Sequence, residues 1–371
     1  MNSVVIVGAG ILGSMHAWHA HRRGWRVVHI EREEGARGAS VRNYGLIWVS
    51  GRAGGAELEL ALRSRRLWED VAAAVPGVGF RANGSLTVAQ TPDELDVLEE
   101  AAEAPDASER GWQLVTPGET VELNPGLGAK VLGALHCSRD AAVEPRRAAD
   151  AIRTALLDRA DGGSYRWLPG RNVVEAGEGW VRDHTGETLH ADRVVLCCGA
   201  DHVGVAAPAL MGAPVRRVRL QMMETAPTET TLTTSVANGD SLRYYPAYEG
   251  AARQRLRPQD EMGADNGMQL LMVQRLDGAL TIGDTHWYEE PFEFAVTGEV
   301  EDELRRRAEA VIGAAVPRVE RRWAGVYSQM TDESVYLRRE LAEGVEVVTG
   351  PGGRGMTLSA AIAEETLEGF G

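Results

Sequence analysis

The sequence contains little lysine and little cysteine. Lys130 is the only lysine among the 39 lysine and arginine residues, so a substrate anion would be bound by planar guanidinium groups rather than by an ammonium group. The three cysteines, Cys137, Cys197 and Cys198, have neither the number of a disulfide framework nor the spacing of a zinc site. We therefore expect buried thiols in a reducing compartment and no metal centre.

Long apolar runs are also missing. The run at residues 194–198 is far shorter than the roughly 20 residues that a membrane span requires, and the first residues lack the pattern of a secretion signal. The formal net charge of −15 repels nucleic-acid phosphates and anionic lipid surfaces. These features predict a cytoplasmic enzyme without a membrane or nucleic-acid partner, and 371 residues are enough for two domains.

The first thirty residues have the pattern of one β–α–β unit. A continuously apolar run at residues 4–7 predicts a strand that is buried on both faces, residues 11–23 predict a helix, and residues 26–30 predict a second strand. The glycine pattern G-x-G-x-x-G lies between the first strand and the helix, and Glu31 ends the second strand. This arrangement is typical of a dinucleotide-binding fold.

Each residue of this motif has a physical role. The first glycine makes a tight turn, the second lets the backbone approach a pyrophosphate at the helix N-terminus, and the third permits close helix–strand packing. A carboxylate at the end of the second strand accepts hydrogen bonds from ribose hydroxyls. The motif alone does not distinguish FAD from NAD. The predicted contacts are Gly8, Gly10, Ile11, Leu12, Gly13, Glu31 and Arg32.

Three further segments resemble the FAD-dependent D-amino-acid oxidase superfamily, especially its branch of sarcosine and glycine oxidases. Residues 38–46 (GASVRNYGL) resemble the loop that wraps the flavin, residues 192–200 the strand that returns beneath the cofactor, and residues 350–357 (GPGGRGMT) the final glycine loop. The resemblance covers the whole chain and implies FAD as cofactor. It implies contacts at Ser40, Asn43, Tyr44, Gly45, Leu46, Val173, Gly199, Gly353, Arg354, Gly355, Met356 and Thr357.

The sequence also departs from the sarcosine oxidase pattern. Gly325 stands where those enzymes carry the cysteine that links to the flavin, which implies non-covalent FAD. Thr357 stands where they carry a lysine for the substrate carboxylate, and the lysine that helps them reduce oxygen has no counterpart. Oxygen and another electron acceptor therefore both remain open.

The resemblance implies oxidation of a small amine. A hydride would pass from the α-carbon to flavin N5, and the resulting imine would hydrolyse to an aldehyde or keto product. Residues 61–65 and 352–359 resemble a phosphonate-associated branch, which makes an aminoalkylphosphonate such as 2-aminoethylphosphonate, or its N-methyl form, the leading substrate. A sarcosine, glycine or D-amino-acid oxidase is the alternative, and an NAD-linked dehydrogenase or a non-catalytic FAD-binding redox protein are rivals of another class.

Period-two patterns between residues 215 and 285 predict an antiparallel sheet over the flavin. A strand at residues 241–248 would place Arg243 and Tyr245 on one face, and an arginine with a tyrosine and a histidine suits an anionic substrate group. The predicted substrate-binding residues are Trp48, Arg243, Tyr245 and His286.

The predicted fold class is α/β, with a Rossmann-type, glutathione-reductase-like FAD domain and an antiparallel-sheet substrate domain. The FAD domain is expected to be discontinuous, with residues 1–80, 141–215 and 320–371. The substrate domain is expected to take residues 81–140 and 216–319. A helix at residues 359–367 is expected to end the chain.

Overall fold

A computed structural model describes residues 2–293 and 295–370. The strands are Ser3–Val7 (β1), Arg26–Ile30 (β2), Leu46–Ile47 (β3), Ser85–Ala89 (β4), Trp112–Val115 (β5), Gly133–Cys137 (β6), Ala141–Ala142 (β7), Tyr165–Leu168 (β8), Val173–Gly177 (β9), Trp180–Asp183 (β10), Thr188–His190 (β11), Arg193–Leu196 (β12), Val215–Thr225 (β13), Ser235–Ala237 (β14), Leu271–Gln274 (β15), Leu280–Gly283 (β16), Val319–Met330 (β17), Leu337–Ala342 (β18) and Val345–Thr349 (β19).

The α-helices are Ile11–Arg22 (α1), Ala56–Ala74 (α2), Pro92–Ala102 (α3), Ala107–Arg110 (α4), Pro117–Leu123 (α5), Pro145–Asp158 (α6), Ala207–Leu210 (α7), Asp240–Tyr244 (α8), Ala251–Arg255 (α9), Glu261–Asp265 (α10), Gly298–Ile312 (α11) and Gly355–Glu368 (α12). Short 3₁₀ turns lie at Ala39–Val41, Pro76–Val78, Pro246–Tyr248 and Gly352–Arg354. In the described part of the chain, none of the helices is both long and apolar enough to cross a membrane.

The N-terminal strand lies in a largely parallel sheet of the order β18-β19-β12-β1-β2-β8. Val4 and Ile6 of β1 pack against helices α1, α2, α6 and α12 on one face. Val5 and Val7 pack on the other face against the antiparallel sheet β9-β10-β11. Burial on both faces is why the sequence of β1 is apolar without interruption, and it confirms the predicted Rossmann-type unit.

A second sheet has the order β17-β13-β16-β15-β14-β4-β6-β5 and is antiparallel except for the pair β4 and β14. Met223 and its neighbours pack under helix α11 on one face. Leu220, Met222 and Leu271 lie on the other face, with Tyr245. The apolar face that carries these three residues is therefore turned toward the flavin-wrapping loop rather than toward a helix.

Three local predictions were wrong. Residues 241–248 form helix α8 and a 3₁₀ turn instead of a strand, because Pro246 lacks the N–H that a sheet ladder needs and the Asp240 side chain binds Asn238 at 2.8 Å. The last helix begins at Gly355 rather than at residue 359. Strand β17 pairs along its length with β13, although the expected domain limits assign most of it to the FAD domain.

His29 of β2 makes the acid stability of this sheet testable. The ring is fully buried, with Nε2 at 3.0 Å from the Gly8 carbonyl and Nδ1 at 3.0 Å from the Tyr165 hydroxyl. Burial lowers the pKa of His29 to about 4, against the hydrogen bond to Gly8, which raises it. Because this folded-state pKa lies below the unfolded value of about 6.5, the unfolded chain binds more protons as pH falls from 6.5 to 4, so stability drops there.

We expect the variant His29→Gln, which cannot titrate, to lose less stability than the unaltered protein on acidification. Urea unfolding at several pH values between 7 and 4 measures this. The difference in unfolding free energy between the two proteins should shrink by up to about 3 kcal/mol over that range. A difference that stays constant with pH would contradict the assignment.

Candidate active site

The glycines of the N-terminal motif are required by close backbone contacts. Gly8 has a φ of 99°, and a Cβ there would lie 2.3 Å from the Cys197 carbonyl oxygen. A Cβ on Gly13 would lie 1.8 Å from the Gly8 carbonyl oxygen. Gly10 directly precedes α1, and a Cβ there would approach the Ser40 hydroxyl to 3.0 Å. Only glycine fits this turn and this helix–strand packing.

The N-terminus of α1 is free of acidic side chains. Its first turn has no Asp or Glu and its N-cap makes no side-chain hydrogen bond, while the Ile11 N–H donates to the Ser40 hydroxyl at 2.8 Å. The Glu31 carboxylate at the end of β2 accepts from Ala9 N–H at 2.7 Å and so braces the glycine turn. The positive end of the helix dipole therefore suits a pyrophosphate.

The flavin-wrapping loop is held by Asn43. Its amide donates to the carbonyls of Ala39 at 2.8 Å and Ser40 at 2.9 Å, and its oxygen accepts from Gly45 N–H at 2.6 Å. Gly45 has a φ of 70°, and a Cβ there would lie 2.2 Å from the Val143 carbonyl oxygen. These bonds turn the chain from the 3₁₀ turn into β3 beside the parallel sheet.

A cavity of about 350 Å³ lies between this loop, the second sheet and the C-terminal glycine turn. The Thr357 hydroxyl joins two of these walls, since it accepts from Trp48 N–H at 2.9 Å and donates to the Leu46 carbonyl at 3.3 Å. The cavity is lined by these residues from the sequence predictions: Ile11, Ser40, Asn43, Tyr44, Leu46, Trp48, Tyr245, His286, Gly353, Arg354, Gly355, Met356 and Thr357.

Other predicted residues lie outside the cavity lining. Those of the nucleotide end are Gly8, Gly10, Leu12, Gly13, Glu31, Arg32, Gly45 and Gly199. Arg32 forms an ion pair with Asp201 at 2.8 Å. Val173 is 4% exposed and packs in the core between the parallel sheet and β9-β10-β11, so its side chain has no free face for a cofactor.

Arg243 was predicted to bind the substrate, and the structure does not bring it to the cavity. Because its segment is helical, its guanidinium turns back to donate to the carbonyls of Gly239 at 3.1 Å and Arg257 at 2.6 Å. The prediction that it holds the substrate anion was therefore wrong.

The sequence predictions missed Arg52, the buried arginine of the cavity. It is 3% exposed, its guanidinium lies 3.5 Å from Glu57 and 5.4 Å from the centre of the Tyr245 ring, and its Nε has no hydrogen-bond partner among the described residues. Glu57 also pairs with Arg354 at 3.2 Å. Two guanidinium groups thus share one carboxylate. The only sequence signal was its place just after the flavin-wrapping loop.

Aromatic rings form the rest of the wall. The ring of Tyr244 stacks on His286 at 4.4 Å and meets Tyr245 edge-on at 5.0 Å, and Tyr245 lies 6.0 Å from Trp48. Gly51 lies beneath this group, where a Cβ would come within 2.6 Å of both Trp48 and Tyr245. The rings thus give the cavity a fixed apolar wall beside the buried guanidinium of Arg52.

The residues present fit FAD. The glycine turn leads into the N-terminus of α12, whose first turn also lacks acidic residues, and backbone N–H groups with Arg354 suit the negative charge that a reduced flavin carries around N1 and C2. A Cβ on Gly353 would lie 3.9 Å from the Tyr327 hydroxyl. Gly325 lines the cavity, whereas Cys137, Cys197 and Cys198 do not belong to its described lining.

Comparisons with known proteins agree with this geometry. The profile of the family described as FAD dependent oxidoreductase matches residues 3–368. One of the two kinds of chain that make up an opine oxidase of Rhizobium meliloti is 27% identical over 247 residues, which are 62% of this chain and 64% of that protein's length. The chain therefore spans less than two-thirds of this relative.

Two solved structures share the fold at low identity. Glycine oxidase from Geobacillus kaustophilus superposes with a TM-score of 0.79 and 21% identity, covering 99% of this chain and 94% of that one. L-proline dehydrogenase from P. horikoshii superposes with a TM-score of 0.78 and 20% identity, again covering 99% and 94%. On the family match over nearly its whole length, the chain belongs to the D-amino-acid oxidase family of FAD-dependent oxidoreductases.

Proposed function

We propose that this protein oxidises a small amine that carries an anionic group. The observation that carries the proposal is the buried Arg52 in the cavity wall, whose Nε has no hydrogen-bond partner among the described residues. A buried guanidinium with an unused donor is costly unless an acceptor binds there. A carboxylate or phosphonate oxygen supplies that acceptor with a charge-assisted hydrogen bond.

The local charge also favours an anion. Glu57 is the shared partner of Arg52 and Arg354, so this cluster keeps one positive charge in excess. In a cavity with little water this excess acts over several ångströms with less screening than at the surface. An anionic substrate group would complete the cluster.

When bound, FAD supplies the acceptor for the hydride that leaves the carbon next to the substrate nitrogen. The cavity residues orient that carbon: Arg52 holds the anionic end, and the rings of Tyr244, Tyr245 and Trp48 limit the space around the rest of the molecule. Positioning of this kind is the main contribution of the protein. The oxidised substrate is an imine, which water hydrolyses to an aldehyde or keto product and an amine.

Two classes of anionic amine satisfy this description. The sequence resemblance favours an aminoalkylphosphonate such as N-methyl-2-aminoethylphosphonate, whose three oxygens can be shared by Arg52 and Arg354. The names of the similar proteins, glycine oxidase and L-proline dehydrogenase, favour an amino acid. We take the phosphonate as the leading substrate, and we infer from the glycine at position 325 that FAD is held without a covalent bond.

An anaerobic titration of the FAD-loaded protein tests the proposal. We expect the visible flavin band to bleach with at least one of N-methyl-2-aminoethylphosphonate, 2-aminoethylphosphonate, sarcosine and glycine. Ethylphosphonate, which lacks the amine, and N-methylpropylamine, which lacks the anion, are matched controls and should leave the band unchanged at the same concentration.

Three other outcomes correct the proposal in different ways. Bleaching by the amino acids alone would replace the phosphonate as substrate. Equal bleaching by N-methylpropylamine would remove the anion requirement and the role of Arg52. No bleaching with any amine would favour a non-catalytic FAD-binding protein.

A further inference from the structure

We propose that Asp284 binds the ammonium group of the substrate and takes a proton from it before the hydride leaves the neighbouring carbon. This inference rests on the amine function proposed above. It assigns the end of the cavity wall that the anion site does not use.

The Asp284 carboxylate is buried without a cation. The residue is 4% exposed and lines the cavity, and its Oδ1 has no hydrogen-bond partner among the described residues. In the part of the chain that the structure describes, no arginine, lysine or histidine nitrogen comes within ion-pair distance of it. A buried carboxylate of this kind is costly unless a cation or several donors complete it.

A second buried carboxylate shows how the fold satisfies such a group internally. Asp140 is fully buried, and its oxygens accept from the N–H groups of Val49 and Ser50 and from the hydroxyls of Ser50 and Ser85, the last two at 2.6 Å. Asp140 does not belong to the described lining of the cavity and needs no ligand. Asp284 differs in both respects, which indicates that its partner comes from the cavity.

The position of Asp284 is fixed by its backbone. Its N–H donates to the Gln269 carbonyl at 2.7 Å, and Gln269 N–H donates to its carbonyl at 3.0 Å. Gly283 before it leaves room for the Tyr44 hydroxyl, which a Cβ would meet at 2.9 Å. The carboxylate is therefore presented at the end of β16 without freedom to turn toward solvent.

Asp284 and Arg52 lie at different parts of the same wall. Arg52 contacts the Tyr245 ring, Tyr245 contacts Tyr244, and Tyr244 stacks on His286, two residues after Asp284. A small zwitterion, with an anion at Arg52 and an ammonium at Asp284, would thus lie along the tyrosine rings. The two charges would orient it as neither could alone.

The proton transfer balances without another reactant. The N–H bond of the ammonium breaks, an O–H bond forms on the Asp284 carboxylate, and the nitrogen regains the lone pair that hydride loss from the neighbouring carbon requires. Burial raises the pKa of Asp284, while His286 acts against this. A raised pKa brings the carboxylate closer to the proton affinity that a general base needs.

Other titratable groups surround Asp284. They are Tyr44, Tyr244, Tyr245, His286, Tyr288 and Tyr327. Burial raises the pKa of each of these tyrosines, so they stay neutral near pH 7. Among these groups, Asp284 and His286 are thus the ones that can hold a charge there.

The variant Asp284→Asn keeps the shape and removes the charge, and Asp277→Asn is a matched control in the exposed turn between β15 and β16. We would measure anaerobic flavin reduction by the best amine of the panel between pH 6 and 10. At pH 7 we expect Asp284→Asn to reduce about 10²-fold more slowly. Its rate should rise about tenfold per pH unit up to the pKa of the free amine, because only the neutral amine then reacts.

The binding of ethylphosphonate or acetate, followed by the change in the flavin spectrum, is a readout that needs no reaction. It should change less than about twofold in Asp284→Asn, since Asp284 does not hold the anion. Equal rates and equal pH profiles in Asp284→Asn and Asp277→Asn would overturn the role of Asp284 while leaving the amine function intact. Absence of bleaching in the unaltered protein would overturn the amine function and this inference together.

Discussion

Replacement of Arg52 by alanine is expected to weaken binding of the anionic amine by about 10²-fold or more, with unchanged FAD content. Removal of one partner of a buried, hydrogen-bonded charge pair typically costs about 2–5 kcal/mol. Arg52→Lys keeps the charge but loses the planar fork, so we expect an intermediate loss of about tenfold. The dissociation constant comes from the concentration dependence of the anaerobic reduction rate.

Arg243→Ala is the matched control for Arg52. Arg243 lies outside the cavity and donates to backbone carbonyls of its own region, so its removal should change the dissociation constant less than about twofold. A large effect of Arg243→Ala with none for Arg52→Ala would show that the anion binds elsewhere.

The second large effect is expected for Gly13→Ala. The added Cβ would lie 1.8 Å from the Gly8 carbonyl oxygen, so helix α1 must move away from the turn that receives the pyrophosphate. Overpacking of this kind costs about 1–3 kcal/mol and sometimes more, and we expect FAD affinity to fall by on the order of 10- to 100-fold. The measurement is the FAD dissociation constant of the apoprotein, with secondary structure checked by circular dichroism.

Gly298→Ala is the control for this substitution. Gly298 is the first residue of α11, where a Cβ meets nothing within 4 Å, so FAD affinity should not change. The same preparation tests the mode of attachment, because acid denaturation should release the flavin from the unaltered protein into the filtrate. Normal FAD affinity in Gly13→Ala would contradict the proposed placement of the pyrophosphate.

The parts that sequence could predict are those in which local order decides the structure. The strand at residues 4–7, the glycine turn and α1 follow one another within a single β–α–β unit, and the contacts of Gly8 and Gly13 occur within it or next to it. The turn into β3 is likewise held by Asn43 through neighbours in sequence. The family resemblance then placed Trp48, Tyr245 and His286, which do line one cavity.

The parts that sequence could not predict depend on distant contacts. Arg52 becomes a cavity residue only because Tyr245 and Glu57 pack around it. The segment around Arg243 alternates like a strand, yet Pro246 and the hydrogen bonds of Asp240 fold it into a short helix. The importance of Asp284 lies in the absence of a partner, which a sequence does not display.

The most direct measurement of the central claim is anaerobic single-turnover reduction of the FAD-loaded protein by one anionic amine, with hydrogen or deuterium on the carbon next to the nitrogen. We expect the visible flavin band to bleach in a single turnover, more slowly with the deuterated amine, and to yield the aldehyde or keto product in an amount equal to the flavin. A flavin band that is unchanged by every anionic amine, or bleaching without the corresponding carbonyl product, would contradict the assignment.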